Sequence, residues 1–203
     1  MGLAHFRDIP MRYLKATAQD RSGNGKADTV IVHLYERQTG EPDALRHEAL
    51  AVDMDGDSVI DVQCAGDINR DGQSTIRDKQ LFKAFANAFL KLGWFNKGDS
   101  SQRTLSVYVD HYDKQGKPNA IKLQLHDLLG GVRKESLTCS AAAYDADSNG
   151  VLETFTNSDI DGNGVADKVD KELMRVLGTL FLEMRWYETD ATAGRVGAHS
   201  DRC

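Results

Sequence analysis

The chain has 203 residues, 40% hydrophobic and 28% charged, with a formal net charge of −6. That length and composition exclude a disordered chain and suffice for one domain or two small lobes. Lysine and arginine are dispersed, which excludes a nucleic-acid face, and no apolar run approaches the roughly 20 residues of a membrane span.

In chain order, Met1–Pro10 lacks the charged head and apolar stretch of a secretory signal. Segments 13–18 and 29–35 alternate or run apolar and β-branched around an acidic stretch, Asp20 to Asp28, which predicts a hairpin. A second hairpin is expected from 48–52 and 59–63 around Asp53 to Asp61. A third acidic stretch, Asp67 to Asp78, leads into helical spacing over 75–92, whose apolar face is Leu81, Phe82, Phe85, Phe89 and Leu92. Residues 97–101 are polar, rich in turn formers and read as a linker. Strands are then expected at 104–109 and 120–126, and at 137–143 and 151–156 around Asp145 to Glu153. The stretch Asp159 to Asp170 leads into a second helix over 169–186, with Leu173, Val176, Leu177, Leu180, Phe181 and Met184 on one face. Residues 189–203 are small, polar and aperiodic, and read as a flexible tail.

The chain repeats itself. Asp53, Asp67, Asp78 and Trp94 recur as Asp145, Asp159, Asp170 and Trp186 at an offset of 92, and Gly25 to Asp28 recurs as Gly116 to Asn119 at 91. The expected fold is therefore α+β, a tandem duplication of a ββββα lobe in which antiparallel hairpins are joined by acidic loops and one helix packs on each sheet. The lobes are 1–96 and 102–188. Trp94 and Trp186 are expected to plug the junction of helix and sheet.

The acidic stretches share a rhythm of short oxygen-bearing side chains at positions 1, 3, 5 and 9. Wrapped in a turn, such side chains and the position-7 carbonyl surround one hard cation. The candidate ligands of the first loop are Asp20, Ser22, Asn24, Lys26 through its carbonyl, and Asp28; those of the second are Asp53, Asp55, Asp57, Val59 through its carbonyl, and Asp61. The third offers Asp67, Asn69, Asp71, Gln73 through its carbonyl, Thr75 and Asp78; the fourth offers Asp145, Asp147, Asn149, Val151 through its carbonyl, and Glu153. The fifth offers Asp159, Asp161, Asn163, Val165 through its carbonyl, Asp167 and Asp170. Only the third and fifth have a carboxylate at position 12, at the start of a helix, as EF-hand loops do. Carboxylate count ranks the Asp53 and Asp159 loops first and the Asp20 loop weakest. A sixth turn, Asp110 to Asn119, has lost the rhythm, carries two lysines and is expected to hold no cation. Seven oxygen ligands favour Ca2+, in four or five sites, with Mg2+ as the competing ion.

Residues 67–84 and 159–177 resemble the calcium loop and following helix of dockerin-type EF-hands. The hairpin loops, above all Gly23 to Val32, resemble FG-GAP calcium hairpins, and the Asp53/Asp67 and Asp145/Asp159 pairs are similar to thrombospondin type 3 repeats. These resemblances cover well under half of the chain and imply calcium binding, without implying cohesin binding or a propeller. Ser74 stands where dockerin-type loops carry an apolar residue, and Ser58 stands where a loop of this kind has glycine, which predicts a strained turn.

No nucleophile elbow, phosphate loop or zinc-protease string occurs, and the six histidines lack partners at metal-ligand spacing. With three cysteines and no Cys-x-x-Cys pair, Cys64 and Cys139 read as free buried thiols. The expectation is a non-catalytic calcium-binding protein, secreted or at the cell surface, whose rigid scaffold binds a protein partner, extracellular matrix or polysaccharide. The alternatives are an intracellular sensor or buffer that exposes an apolar helix face, and a calcium-dependent hydrolase.

Overall fold

The computed structural model describes residues 10–96, 103–127 and 136–188. The expected linker, 97–101, and tail, 189–203, lie outside the described residues. Strands β1 (Met11–Gln19), β2 (Thr29–Arg37), β3 (Ala44–Val52) and β4 (Val62–Cys64) precede helix α1 (Ile76–Leu90) and a 3-10 turn (Gly93–Asn96). Strands β5 (Arg103–Tyr112), β6 (Pro118–Asp127), β7 (Ser136–Tyr144) and β8 (Thr154–Phe155) precede helix α2 (Lys168–Glu183).

The two small sheets expected from sequence are one. The strands form a single eight-stranded sheet in the order β4-β3-β2-β1-β5-β6-β7-β8, every neighbouring pair antiparallel. The seam is β1 with β5, where Leu14 lies opposite Val107 and Ala16 opposite Leu105. Separate sheets would each leave a long first strand with unpaired N–H and C=O groups, and pairing the two strands removes both edges. Because β1 and β5 run antiparallel, the hairpin loops 20–28 and 53–61 lie at one end of the sheet, and 113–117 and 145–153 at the other.

Strand alternation gives the sheet two unlike faces. Leu14, Ala16, Val30, Val32, Leu105, Val107, Ile121 and Leu123 point to one side and are buried under the helices. There α1 and α2 also pack against each other, so Phe82, Phe85 and Phe89 share one continuous core with Leu177 and Phe181. The opposite face carries Tyr13, Lys15, Tyr35, Ser106, Tyr108, Gln124 and His126, which line a hollow of about 620 Å3 that no described element covers.

Three further expectations change. Strands β4 and β8 are shorter than expected because the acidic loops run on through Asp61 and Glu153, leaving Val59 and Val151 exposed. Cys64 is disulfide-bonded, whereas only Cys139 among the described cysteines is a free thiol. Cys64 ends an edge strand and is only partly buried. Finally, α1 stops at Leu90 and α2 at Glu183, so both tryptophans lie beyond their helices and dock onto the other half of the molecule.

Candidate cation loops

Each of the five acidic loops has the same backbone. Position 4 is left-handed in all of them, at Gly23 (φ 72°), Gly56 (79°), Arg70 (58°), Ser148 (58°) and Gly162 (76°). So is position 6, at Gly25 (86°), Ser58 (69°), Gly72 (90°), Gly150 (90°) and Gly164 (95°). Two left-handed residues bracketing one ordinary residue curl the chain about the side chain of position 1. That carboxylate accepts the position-6 N–H in each loop: Asp20 from Gly25 (2.7 Å), Asp53 from Ser58 (2.7 Å), Asp67 from Gly72 (2.9 Å), Asp145 from Gly150 (2.7 Å) and Asp159 from Gly164 (2.7 Å). Position 5 accepts from the N–H of position 7 in all five, through Asn24, Asp57, Asp71, Asn149 and Asn163. Position 7 therefore takes part through its backbone, while the side chains of Val59, Val151 and Val165 stay exposed.

The loops close in two ways. In the hairpins, the acid at position 9 reaches back to the first turn: Asp28 accepts from Arg21 and Ser22 N–H, Asp61 from Met54 and Glu153 from Ala146. Ahead of the helices, position 12 does this instead. Asp78 accepts from Asn69 and Thr75 N–H, and Asp170 from Ile160, Asp161 and Asp167 N–H. Both acids are fully buried and occupy N3 of a capping box, with Thr75 and Asp167 as the N-caps. The side chain of Asp167 accepts from Val169 N–H and is turned to its helix.

Among the described residues, three carboxylate groups converge, with ligand oxygens within 4.8 Å of one another: Asp53, Asp55 and Asp61; Asp145, Asp147 and Glu153; and Asp159, Asp161 and Asp170. The carboxylates of Asp57 and Asp167 belong to the loops but not to these groups. In the third loop, Asp67 lies beside Asp78 and Asp71, and Asn69 donates to Asp71 (3.1 Å). The first loop brings together two carboxylates, Asp20 and Asp28, with Ser22 donating to Asp20. Loops 20–28 and 53–61 lie side by side, linked by Asp53 N–H to Asp28 C=O (2.8 Å). The sixth turn retains its hairpin through Asp113, which accepts from Gln115 and Lys117 N–H, and assembles no carboxylate group.

The electrostatics record the crowding. Burial raises the Asp67 pKa, and the charges of Asp78 and Asp71 push it further in that direction. Burial likewise raises Asp161, helped by Asp170. At Asp159 burial is outweighed by the N–H groups of Gly164 and Gly162, and at Asp28 by those of Arg21 and Ser22, so both are lowered. Two carboxylates at 4.8 Å repel by about 1 kcal/mol even at the dielectric of water. The donor set is oxygen alone, which suits a hard divalent ion and gives a soft metal nothing to bind.

Sequence reading missed the surroundings of the tryptophans: Arg12 with Glu36, Arg103 with Asp127, and Arg70. The pairs Arg12/Arg103 and Glu36/Asp127 are each separated by 91 positions, the offset that relates Asp28 to Asn119, so the repeat carried that signal. Comparison of the chain with protein-family models, curated proteins and solved structures finds no match.

Proposed function

We propose that the protein is a non-catalytic calcium-binding scaffold, built by tandem duplication of a ββββα unit, in which Ca2+ in the acidic loops rigidifies a surface for a protein, matrix or polysaccharide partner. The observation that carries this reading is the identity of the five loops: left-handed residues at positions 4 and 6, and oxygen side chains gathered by the same backbone N–H groups. Ordinary Asp-Gly turns have no reason to repeat that geometry. The strand order supports duplication, since it reads as two four-strand runs related about the β1–β5 seam.

Calcium acts here by linkage. The repelling carboxylates loosen the loops until a cation offsets them, and an ion that binds only the folded chain stabilises it by about 2.7 kcal/mol per site at a hundredfold excess over Kd. The disulfide at Cys64 favours an oxidising compartment, hence the secreted or surface reading. The sensor alternative needs an apolar helix face that calcium can release, but Phe82, Phe85, Phe89 and Phe181 are fully buried in the shared core. Thermal unfolding in chelator, in millimolar magnesium and in millimolar calcium tests the proposal. Calcium should raise the Tm well above both other conditions, and three superposable curves would refute it.

A further inference from the structure

The two helix-linked loops do more than gather carboxylates, because each also seats the tryptophan of the opposite half. Trp94, beyond α1, donates its backbone N–H to Asp161 C=O (3.0 Å). Its Cβ lies against Gly162, where an added methyl would sit 3.1 Å from it. These are positions 3 and 4 of the loop 159–170. Asp161 also gives its carboxylate to the acidic group, and Gly162 N–H donates to Asp159. Arg103 then stacks over the Trp94 ring at 5.1 Å and donates to Trp94 C=O (2.5 Å).

The other half repeats the arrangement in reverse. Trp186, beyond α2, is 4% exposed, with Arg12 and Arg70 each over its ring at 5.0 Å. Arg70 is position 4 of the loop 67–78, and its guanidinium also donates to Glu188 C=O (2.7 Å), which Arg12 shares. The Trp186 indole N–H donates to Tyr35 C=O (3.0 Å). In both cases the residue that fixes the tryptophan is one whose backbone shapes the cation loop.

We propose that the helix-linked loops are crossed latches: cation binding in loop 159–170 locks Trp94, binding in loop 67–78 locks Trp186, and the two together clasp the halves across the β1–β5 seam. The inference rests on the calcium reading above. In the chelated protein, repulsion among Asp159, Asp161 and Asp170 displaces positions 3 and 4, and the tryptophan seat moves with them. Linkage is reciprocal, so a docked tryptophan tightens cation binding in the loop it touches.

The test uses the full chain as two single-tryptophan variants, Trp186→Phe to report Trp94 and Trp94→Phe to report Trp186, each combined with Asp159→Asn or Asp67→Asn. Chelator-stripped protein is titrated with calcium chloride while tryptophan emission and, separately, calorimetric heat are followed. The calcium-dependent emission change of Trp94 should vanish with Asp159→Asn and survive Asp67→Asn, and Trp186 should show the converse. In the reverse direction, Trp94→Ala changes no ligand yet should weaken one calcium site by about fivefold or more. Emission that follows the loop of the same half, or calcium heat with both tryptophans silent and Trp94→Ala binding normally, would overturn the latch alone. Absence of calcium heat from the unsubstituted chain would overturn the calcium reading and the latch together.

Discussion

Asp170 offers the sharpest test of how the loops hold together, because removing it has two opposed effects whose sizes can be set against each other. Its carboxylate accepts Ile160 N–H at 2.8 Å in a buried setting, and Asp161 and Asp167 N–H at 3.1 and 2.8 Å in partly buried ones. Asp170→Ala orphans all three. Hydrogen bonds to a charged group contribute roughly 1.5–3 kcal/mol each, toward the lower end or below where water can substitute, which gives a loss of about 4–5 kcal/mol. Against this, Asp159 and Asp161 lose a like charge within 4.8 Å, a relief of about 2 kcal/mol for the two pairs. The net expectation in chelator is a loss of about 2–3 kcal/mol. Asp170→Asn gains the same relief and keeps a neutral oxygen for Ile160 and Asp161, but it sets its amide NH2 against Asp167 N–H, so it should lose roughly 1–2 kcal/mol, less than Asp170→Ala. If calcium fills this loop as proposed, the cation offsets the repulsion in the parent, and both variants should fall further behind in its presence. Urea unfolding followed by tryptophan emission reads these differences, provided the m-value stays constant. If Asp170→Ala and Asp170→Asn were equally stable in chelator, the backbone bonds would not be what closes the loop.

Other positions give independent tests. Ser58 is the one position-6 residue that is not glycine, at φ 69°, so Ser58→Gly should gain about 0.5–1 kcal/mol, whereas Gly164→Ala at φ 95° should lose about 1–2 kcal/mol; chemical denaturation that reversed this order would refute the strain argument. Phe89 is fully buried between Phe85 and Phe95, and Phe89→Ala should cost about 3–5 kcal/mol by the same assay. Away from the loops, the Arg37 guanidinium fork, with help from the Tyr13 hydroxyl, holds the Asp43 carboxyl below its usual value. A depressed carboxylate contributes stability above its unfolded pKa of about 3.9 and loses it as pH falls through the folded value. Asp43→Asn should therefore unfold with a flatter acid limb, and an unchanged limb would show that the ion pair is immaterial.

The loops and helices were legible in the sequence because both are local. The position-1, -3 and -5 oxygens, the glycines at position 6 and the i, i+4 aromatic face of α1 all lie within one short window. The seam was not. Alternation in Met11–Gln19 says which side chains face the core, but not whether the strand's free edge meets solvent or Arg103–Tyr112. The destination of the tryptophans was hidden for a similar reason, since contacts between Trp94 and Asp161, or Trp186 and Tyr35, join residues 67 and 151 positions apart. Position spacing marks the aspartate at position 12 as a candidate ligand but does not show that the same residue closes a capping box, so the acidic loop and the helix start share one side chain.

If the aspartate and asparagine turns hold calcium as proposed, the number of ions bound follows from the number of loops. Isothermal calorimetry of the chelator-stripped full chain, titrated with calcium in a magnesium-containing buffer, tests it most directly. Four or five calcium equivalents should bind, with the loops at Asp53, Asp145 and Asp159 among those filled. Fewer than three equivalents, or full displacement of calcium by magnesium, would contradict it.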